Sequence, residues 1–92
     1  MNGYRYKAVP KFWRSFKKLP VHQKRSAKAA WQIFKRDPFD SRLRAHKIHQ
    51  LSAALGKTVY AVEVERDLRV VFYIEGETVF TLDIGTHAIY RP

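Results

Sequence analysis

An α+β fold is predicted by three observations. Apolar residues recur at helical spacing between Pro10 and Arg36, they alternate with period two from Thr58 onward, and Asp37-Pro38 marks the break between the two regimes. The expected architecture is an N-terminal strand and a two-helix hairpin packed on one face of an antiparallel sheet of three or four strands. Each half carries too few apolar residues to stand alone, and no repeat or low-complexity segment is present, so residues 1–92 read as a single domain.

A short extended segment, about Tyr4 to Ala8, opens the chain and is ended by Pro10. Phe12, Phe16 and Leu19 then fall on one helical face, with Pro10 suited to the opening turn and Pro20 to the close. A second helix is predicted from Val21 to Arg36, where Ala27, Ala30, Trp31 and Phe34 repeat the spacing and Lys24, Arg25, Lys28 and Lys35 take other faces. The two make a basic helical hairpin. Phe39 to Lys57 reads as loop, with a helical turn near Gln50 to Leu55.

Three strands follow. Tyr60, Val62, Val64, Leu68, Val70, Phe72, Ile74, Phe80, Leu82 and Ile84 all occupy even positions, which assigns them to one face, turned toward the helices. Glu63, Glu65, Arg69, Val71, Tyr73, Val79, Thr81, Asp83 and His87 fall on the other, open face. If even residues share a face in both strands of an antiparallel pair, each loop holds an odd number of residues, as in Glu65-Arg66-Asp67 and Glu75-Gly76-Glu77. Arg69 then lies opposite Glu63, or opposite Glu65 if the register slips. The pair reads equally as a cross-strand ion pair contributing ~0.2–1 kcal/mol or as a guanidinium steered by a carboxylate in a phosphate site.

Charge narrows the function. Eighteen Lys and Arg against eight Asp and Glu give a net charge of +10 in 92 residues, which implies a polyanionic partner. With no cysteine there is neither a disulfide framework nor a thiolate metal site, and a reducing cytoplasm is permitted. The N-terminus lacks an apolar signal core and no apolar run is long enough for a membrane span, so a cytoplasmic protein without membrane association is expected.

The C-terminal run Thr81 to Pro92 carries His87, Tyr90 and Arg91 just past the last strand, groups that move protons and hold phosphate. RNA cleavage without metal needs a base for the 2'-hydroxyl, an acid for the leaving 5' oxygen and cations for the charge growing on phosphoryl oxygens. His46 and His87 suit the proton roles, with Glu63 or Glu65 as carboxylate bases, Arg69 and Lys47 as phosphate ligands, and Tyr90 as a base-stacking group or proton donor. His87 follows a strand on the open face behind Gly85, which allows a tight bend, whereas His46 stands among Arg42, Arg44 and Lys47. His22 reads as structural or solvent-facing. A nucleotide-binding glycine loop, a zinc-protease motif and a serine nucleophile elbow are all absent. His46 and His49 have i, i+3 spacing, but no cysteine or carboxylate cluster completes a metal site, so no cofactor is expected.

The order strand, helix, helix, loop, three strands, with Phe12 and Leu19-Pro20, His46-Lys47-Ile48, Asp67-Leu68-Arg69-Val70-Val71-Phe72, and Gly85-Thr86-His87 with Tyr90, resembles the RelE/ParE superfamily of type II toxins. The resemblance spans essentially the whole chain, and the closing Gly-Thr-His with an aromatic is most similar to the YafQ branch of ribosome-dependent mRNA endonucleases. It implies cleavage roles for His46 and His87, and matches Asp67 to an acidic turn residue, Arg69 to a strand arginine and Tyr90 to the terminal aromatic. Glu63 stands where that branch has histidine, Leu68 where it has tryptophan and Asp83 where it has a basic residue.

The resemblance further implies a toxin, monomeric alone and hetero-oligomeric with an acidic, partly disordered antitoxin, acting on mRNA at the ribosome. Arg42, Arg44, Lys47, Lys24, Arg25, Lys28 and Asp67 are then expected at the RNA interface. Two other readings stand beside it: a ParE-like inhibitor of DNA gyrase that acts by binding, and a non-catalytic RNA- or ribosome-binding module.

Overall fold

The computed structural model describes residues 3–91; Met1, Asn2 and Pro92, at the ends of the predicted domain, lie outside the described residues. The elements run β1 (Arg5–Ala8), α1 (Pro10–Lys17), α2 (Val21–Phe34), a 3-10 turn (Ser41–Leu43), β2 (His46–Lys47), α3 (His49–Leu55), β3 (Val59–Glu65), β4 (Leu68–Glu75), β5 (Thr78–Gly85) and a second 3-10 turn (His87–Tyr90). Pro10 opens α1, where its missing N–H costs nothing.

The sheet has five strands in the order β1-β5-β4-β3-β2, where three or four were expected. It is mixed rather than antiparallel, because β1 lies parallel to β5. The helical hairpin carries the chain away from β1, whose partner is therefore not the next strand in sequence but the last. The extra strand, β2, is two residues long and carries no alternation that a sequence pattern could reveal.

Phe12, Phe16, Leu19, Ala27, Ala30, Ile33 and Phe34 pack on Val62, Leu68, Val70 and Phe72, so the even face of β3 and β4 meets the helices as predicted. The centre is aromatic: Phe34 and Phe72 stand edge to face with centroids 5.0 Å apart, and Phe72 is fully buried. Such a ring is worth about 3–5 kcal/mol on truncation to alanine. Between α1, α2 and the sheet an apolar cleft of about 370 Å³ remains, flanked by the half-exposed Trp13 and Trp31.

The opposite face is not open. Ile48 and Leu51, with partly buried Ile89 and Tyr90 from the second 3-10 turn, cover Val59, Ala61 and Val71 in a second core cluster. Of the odd positions along β3 and β4, Val59, Ala61 and Val71 are therefore buried, whereas Glu63, Glu65 and Arg69 at one end and Tyr73 and Glu75 at the other keep solvent access.

Both hairpins turn in two residues, not three. Leu68 pairs with Glu65 across Arg66-Asp67, and a bulge between Glu63 and Glu65 restores the odd-with-odd register. Thr78 pairs with Glu75 across Gly76-Glu77, where Gly76 takes the positive φ that such a turn needs. This even-numbered loop inverts the first half of β5. Val79 and Thr81 are buried, with Val79 in the helix-side cluster, whereas Phe80 stacks on Tyr73 at 5.0 Å. A bulge at Leu82 reverses the inversion, so Leu82 joins the second cluster and Ile84 returns to the helix side.

Candidate active site

Strand register gathers the predicted residues in two adjacent rows. One row runs Glu63, Arg69, Gly85, and the next runs His46, Ala61, Val71, Asp83. Successive same-face residues in a strand are ~7 Å apart, so His46 on the edge strand is one side-chain step from the Glu63-Arg69 pair.

Arg69 faces Glu63 directly, as the unslipped register requires, with Nη1 2.8 Å from Oε1. The Arg69 side chain is 19 % exposed and that of Glu63 30 %. The separation is that of an ion pair, yet the N–H directions miss the carboxylate. Nε and Nη1 of Arg69 are both buried and donate no hydrogen bond among the described residues. The pair leaves Nε–H as a buried donor that a second anionic oxygen could satisfy.

His46 is oriented by its own loop. Its Nδ1 lies 3.0 Å from the Arg44 carbonyl, and a carbonyl can only accept, so Nδ1 carries the proton and Nε2 is left as an acceptor. Arg44 has φ of +51°, the left-handed region that costs a non-glycine residue about 1–2 kcal/mol. That backbone twist ends the first 3-10 turn and sends the chain into β2. The His46 ring meets Tyr90 edge to face, centroids 6.1 Å apart. Burial pushes the Tyr90 phenol above its usual value of 10.0; Arg69 works against that shift and Glu63 adds to it, which brings Tyr90 within electrostatic reach of both.

Tyr90 is positioned by the turn after β5. Thr86 Oγ1 accepts from Ala88 N–H and opens the 3-10 turn. Gly85 was expected to permit a tight bend; its φ is not positive, and the glycine serves close packing instead. A Cβ there would lie 2.8 Å from Cγ2 of Ile89.

His87 sits apart from His46, two residues beyond Gly85. Its Nδ1 is 3.7 Å from Asp67 Oδ1, and both side chains are well exposed, 78 % and 69 %. Asp67 in the β3-β4 turn thus faces the histidine and remains exposed.

The basic residues divide. Arg44 and Lys47 are exposed beside His46. Arg42 is folded onto Asp40 by a two-point contact, Nε to Oδ1 at 3.0 Å and Nη2 to Oδ2 at 2.9 Å, so its charge is compensated locally. Asp40 also caps the 3-10 turn through Arg42 N–H, and these bonds hold its carboxyl at about 2. Lys24, Arg25 and Lys28 lie on α2, across the sheet from His46 and Arg69. They cannot share a phosphate with Arg69. His46 and His49 belong to a strand and a helix respectively, and no group of three His, Asp or Glu side chains suited to a metal gathers among the described residues.

Two contributors were invisible in the sequence. Arg44 acts through its backbone carbonyl, for which no side-chain signal exists. Ile89, beneath Gly85, reads as an ordinary apolar residue until the register brings the two together.

No protein-family model matches this chain, and no curated protein matches its sequence significantly. Solved structures do match in fold. The archaeal RelE–RelB complex from Pyrococcus horikoshii OT3 aligns with a TM-score of 0.70 at 15% identity, covering 91% of this chain and 94% of that one. YafQ from E. coli strain BL21(DE3) gives 0.66 at 16% identity over 94% of this chain and 96% of that one. A metal-bound toxin from Helicobacter pylori gives 0.63 at 18% identity over 94% and 97%. The chain has the RelE-like toxin fold across nearly its whole length.

Proposed function

We propose that this protein is the toxin of a toxin–antitoxin pair and an endoribonuclease that cuts mRNA on the ribosome. The observation that carries the reading is Arg69, whose guanidinium is ion-paired to Glu63 through Nη1 while its buried Nε–H has no acceptor among the described residues, on the face that also carries His46 and Tyr90.

In the proposed reaction Nε2 of His46 takes the 2'-hydroxyl proton, the O2'–P bond forms and the P–O5' bond breaks. His87 gives a proton to the departing O5', leaving a 2',3'-cyclic phosphate. Arg69 faces the phosphoryl oxygens, where charge grows in the transition state. Tyr90 offers an aromatic face to a nucleobase, and Lys47 and Arg44 hold neighbouring phosphates. Of the two bases considered, His46 is preferred because Glu63 is engaged with Arg69. Lys24, Arg25 and Lys28, across the sheet, dock ribosomal RNA.

The partner is an acidic antitoxin. Two structures of this fold are complexes, RelE with RelB and the DinJ–YafQ toxin-antitoxin complex, and a charge of +10 favours an anionic cover. Co-expression with an adjacent acidic reading frame gives a copurifying complex; a chain that purifies alone counts against the pairing.

The deciding experiment adds the protein, and separately His87→Ala, to cell-free translation and maps mRNA ends by primer extension. Cuts inside translated codons that vanish with His87→Ala are expected. Intact mRNA with undiminished translation overturns the nuclease and favours the gyrase-binding alternative.

A further inference from the structure

The Glu63 carboxylate stands 2.8 Å from Arg69 Nη1 as an ion pair without a well-aimed hydrogen bond, and the buried Nε–H of Arg69 has no acceptor among the described residues. Among the described residues the other carboxylates that form ion pairs are engaged elsewhere: Asp67 with His87, Asp83 with Lys11, Glu75 with Lys57 and Asp40 with Arg42. Glu63 is the anion that meets this guanidinium, through Nη1. A phosphodiester has two non-bridging oxygens that share its charge and can reach both Nη1 and the Nε–H that the carboxylate leaves open.

We propose that Glu63 is an internal occupant of the phosphate subsite, holding the place beside Arg69 that a phosphodiester of single-stranded RNA takes on binding. The inference rests on the reading that RNA enters this face, but its test requires no cleavage. Two like charges do not share one guanidinium cheaply at a largely buried site, so a bound phosphate displaces the Glu63 side chain. Glu63 thereby acts as a positioning and specificity residue. Without ligand it keeps a buried cation neutralised, and against ligand it competes. Free RNA is bound weakly for that reason. A strand already held near the site by other contacts has a high effective concentration and wins the exchange. Restriction to RNA presented by a larger assembly then follows from one carboxylate.

The experiment uses the full chain, a short single-stranded 2'-O-methyl oligonucleotide that cannot be cut, and inorganic phosphate as a second probe. Affinities are measured for the unmodified protein, Glu63→Gln, Arg69→Gln and the double variant, with thermal melting as a check of folding. Glu63→Gln is expected to bind the oligonucleotide about tenfold more tightly, the effect of removing one competing charge at a half-buried site. The gain should disappear in the double variant. Equal affinity in Glu63→Gln and the unmodified chain overturns the proposal, and so does a gain that persists without Arg69, which marks a general change in net charge. In the unmodified chain the Arg69 Nε–H resonance should move as oligonucleotide saturates the protein. A resonance that stays fixed at saturation overturns the proposal even if Glu63→Gln does not fold.

Discussion

His46 and Tyr90 meet edge to face, with ring centroids 6.1 Å apart and planes at 81°. One residue comes from a two-residue edge strand and the other from the turn that ends the chain's last strand, yet the contact leaves Nε2 of His46 free because Nδ1 is taken by the Arg44 carbonyl. His46→Gln should lower RNA cleavage by about 10²–10⁴-fold, the usual worth of a positioned proton acceptor. Since His46 is exposed, melting should be little changed. Single-turnover cleavage on translating ribosomes is the check, and near-normal rates would assign the base elsewhere.

The Tyr90 phenol predicts alkaline behaviour. Its folded-state value is raised above 10.0 by burial, so the stability it contributes is complete below pH 10 and is lost as pH rises through the higher folded value. Melting curves of the unmodified chain and Tyr90→Phe between pH 8 and 11 should converge or cross at the alkaline end. Parallel curves would contradict the assignment.

Asp40 predicts the opposite end of the scale. Hydrogen bonds from the Arg42 side chain and backbone hold its carboxyl at about 2 against a usual 3.8. The contribution is present above pH 3.8 and disappears as pH falls through about 2. Asp40→Asn should therefore melt lower than the unmodified chain at neutral pH, and the gap should close on acidification to pH 2.

Gly85→Ala tests the packing beneath the last turn. The added Cβ falls 2.8 Å from Cγ2 of Ile89, a branched and stiff side chain that cannot swing aside at χ1 without cost. A loss of about 1–3 kcal/mol is expected, typical of overpacking. Chemical denaturation gives the number. The Tyr90 ring should shift with Ile89, visible as altered fluorescence or NMR signals.

Lys24, Arg25 and Lys28 on α2 lie across the sheet from Arg69. Replacing all three by alanine should weaken ribosome association and reduce the salt slope of binding by up to about 3, one per phosphate contact. The cleavage rate at saturating ribosomes should hold. A collapse in that rate would show that α2 reaches the chemistry after all.

Much of the scaffold was legible because the physics acting on it is local. Phe12, Phe16 and Leu19 fall on one helical face whatever surrounds them, and the even positions of β3 and β4 had to pack on the helices. Parity left Arg69 opposite Glu63 or Glu65, and Glu63 is its partner because a bulge offsets the two-residue turn. The faces of Phe80, Leu82 and Val79 were misread because a two-residue turn and a bulge at Leu82 each add one step to a period of two, and neither leaves a clear mark in composition. Burial of the second face depended on α3 and on β2, elements too short to show periodicity. The His46–Tyr90 contact joins two such elements, so only the folded chain reveals it.

The parallel pairing of Arg5–Ala8 with β5 has a bearing on how the molecule comes into being. During synthesis the first strand and the helix after it wait for residues 78–85 before either has a sheet to lie on. Closure between such distant parts of the chain makes folding a late and concerted event. His46, Arg69 and Tyr90 are therefore brought onto one face only when the last strand and the turn after it have left the ribosomal tunnel.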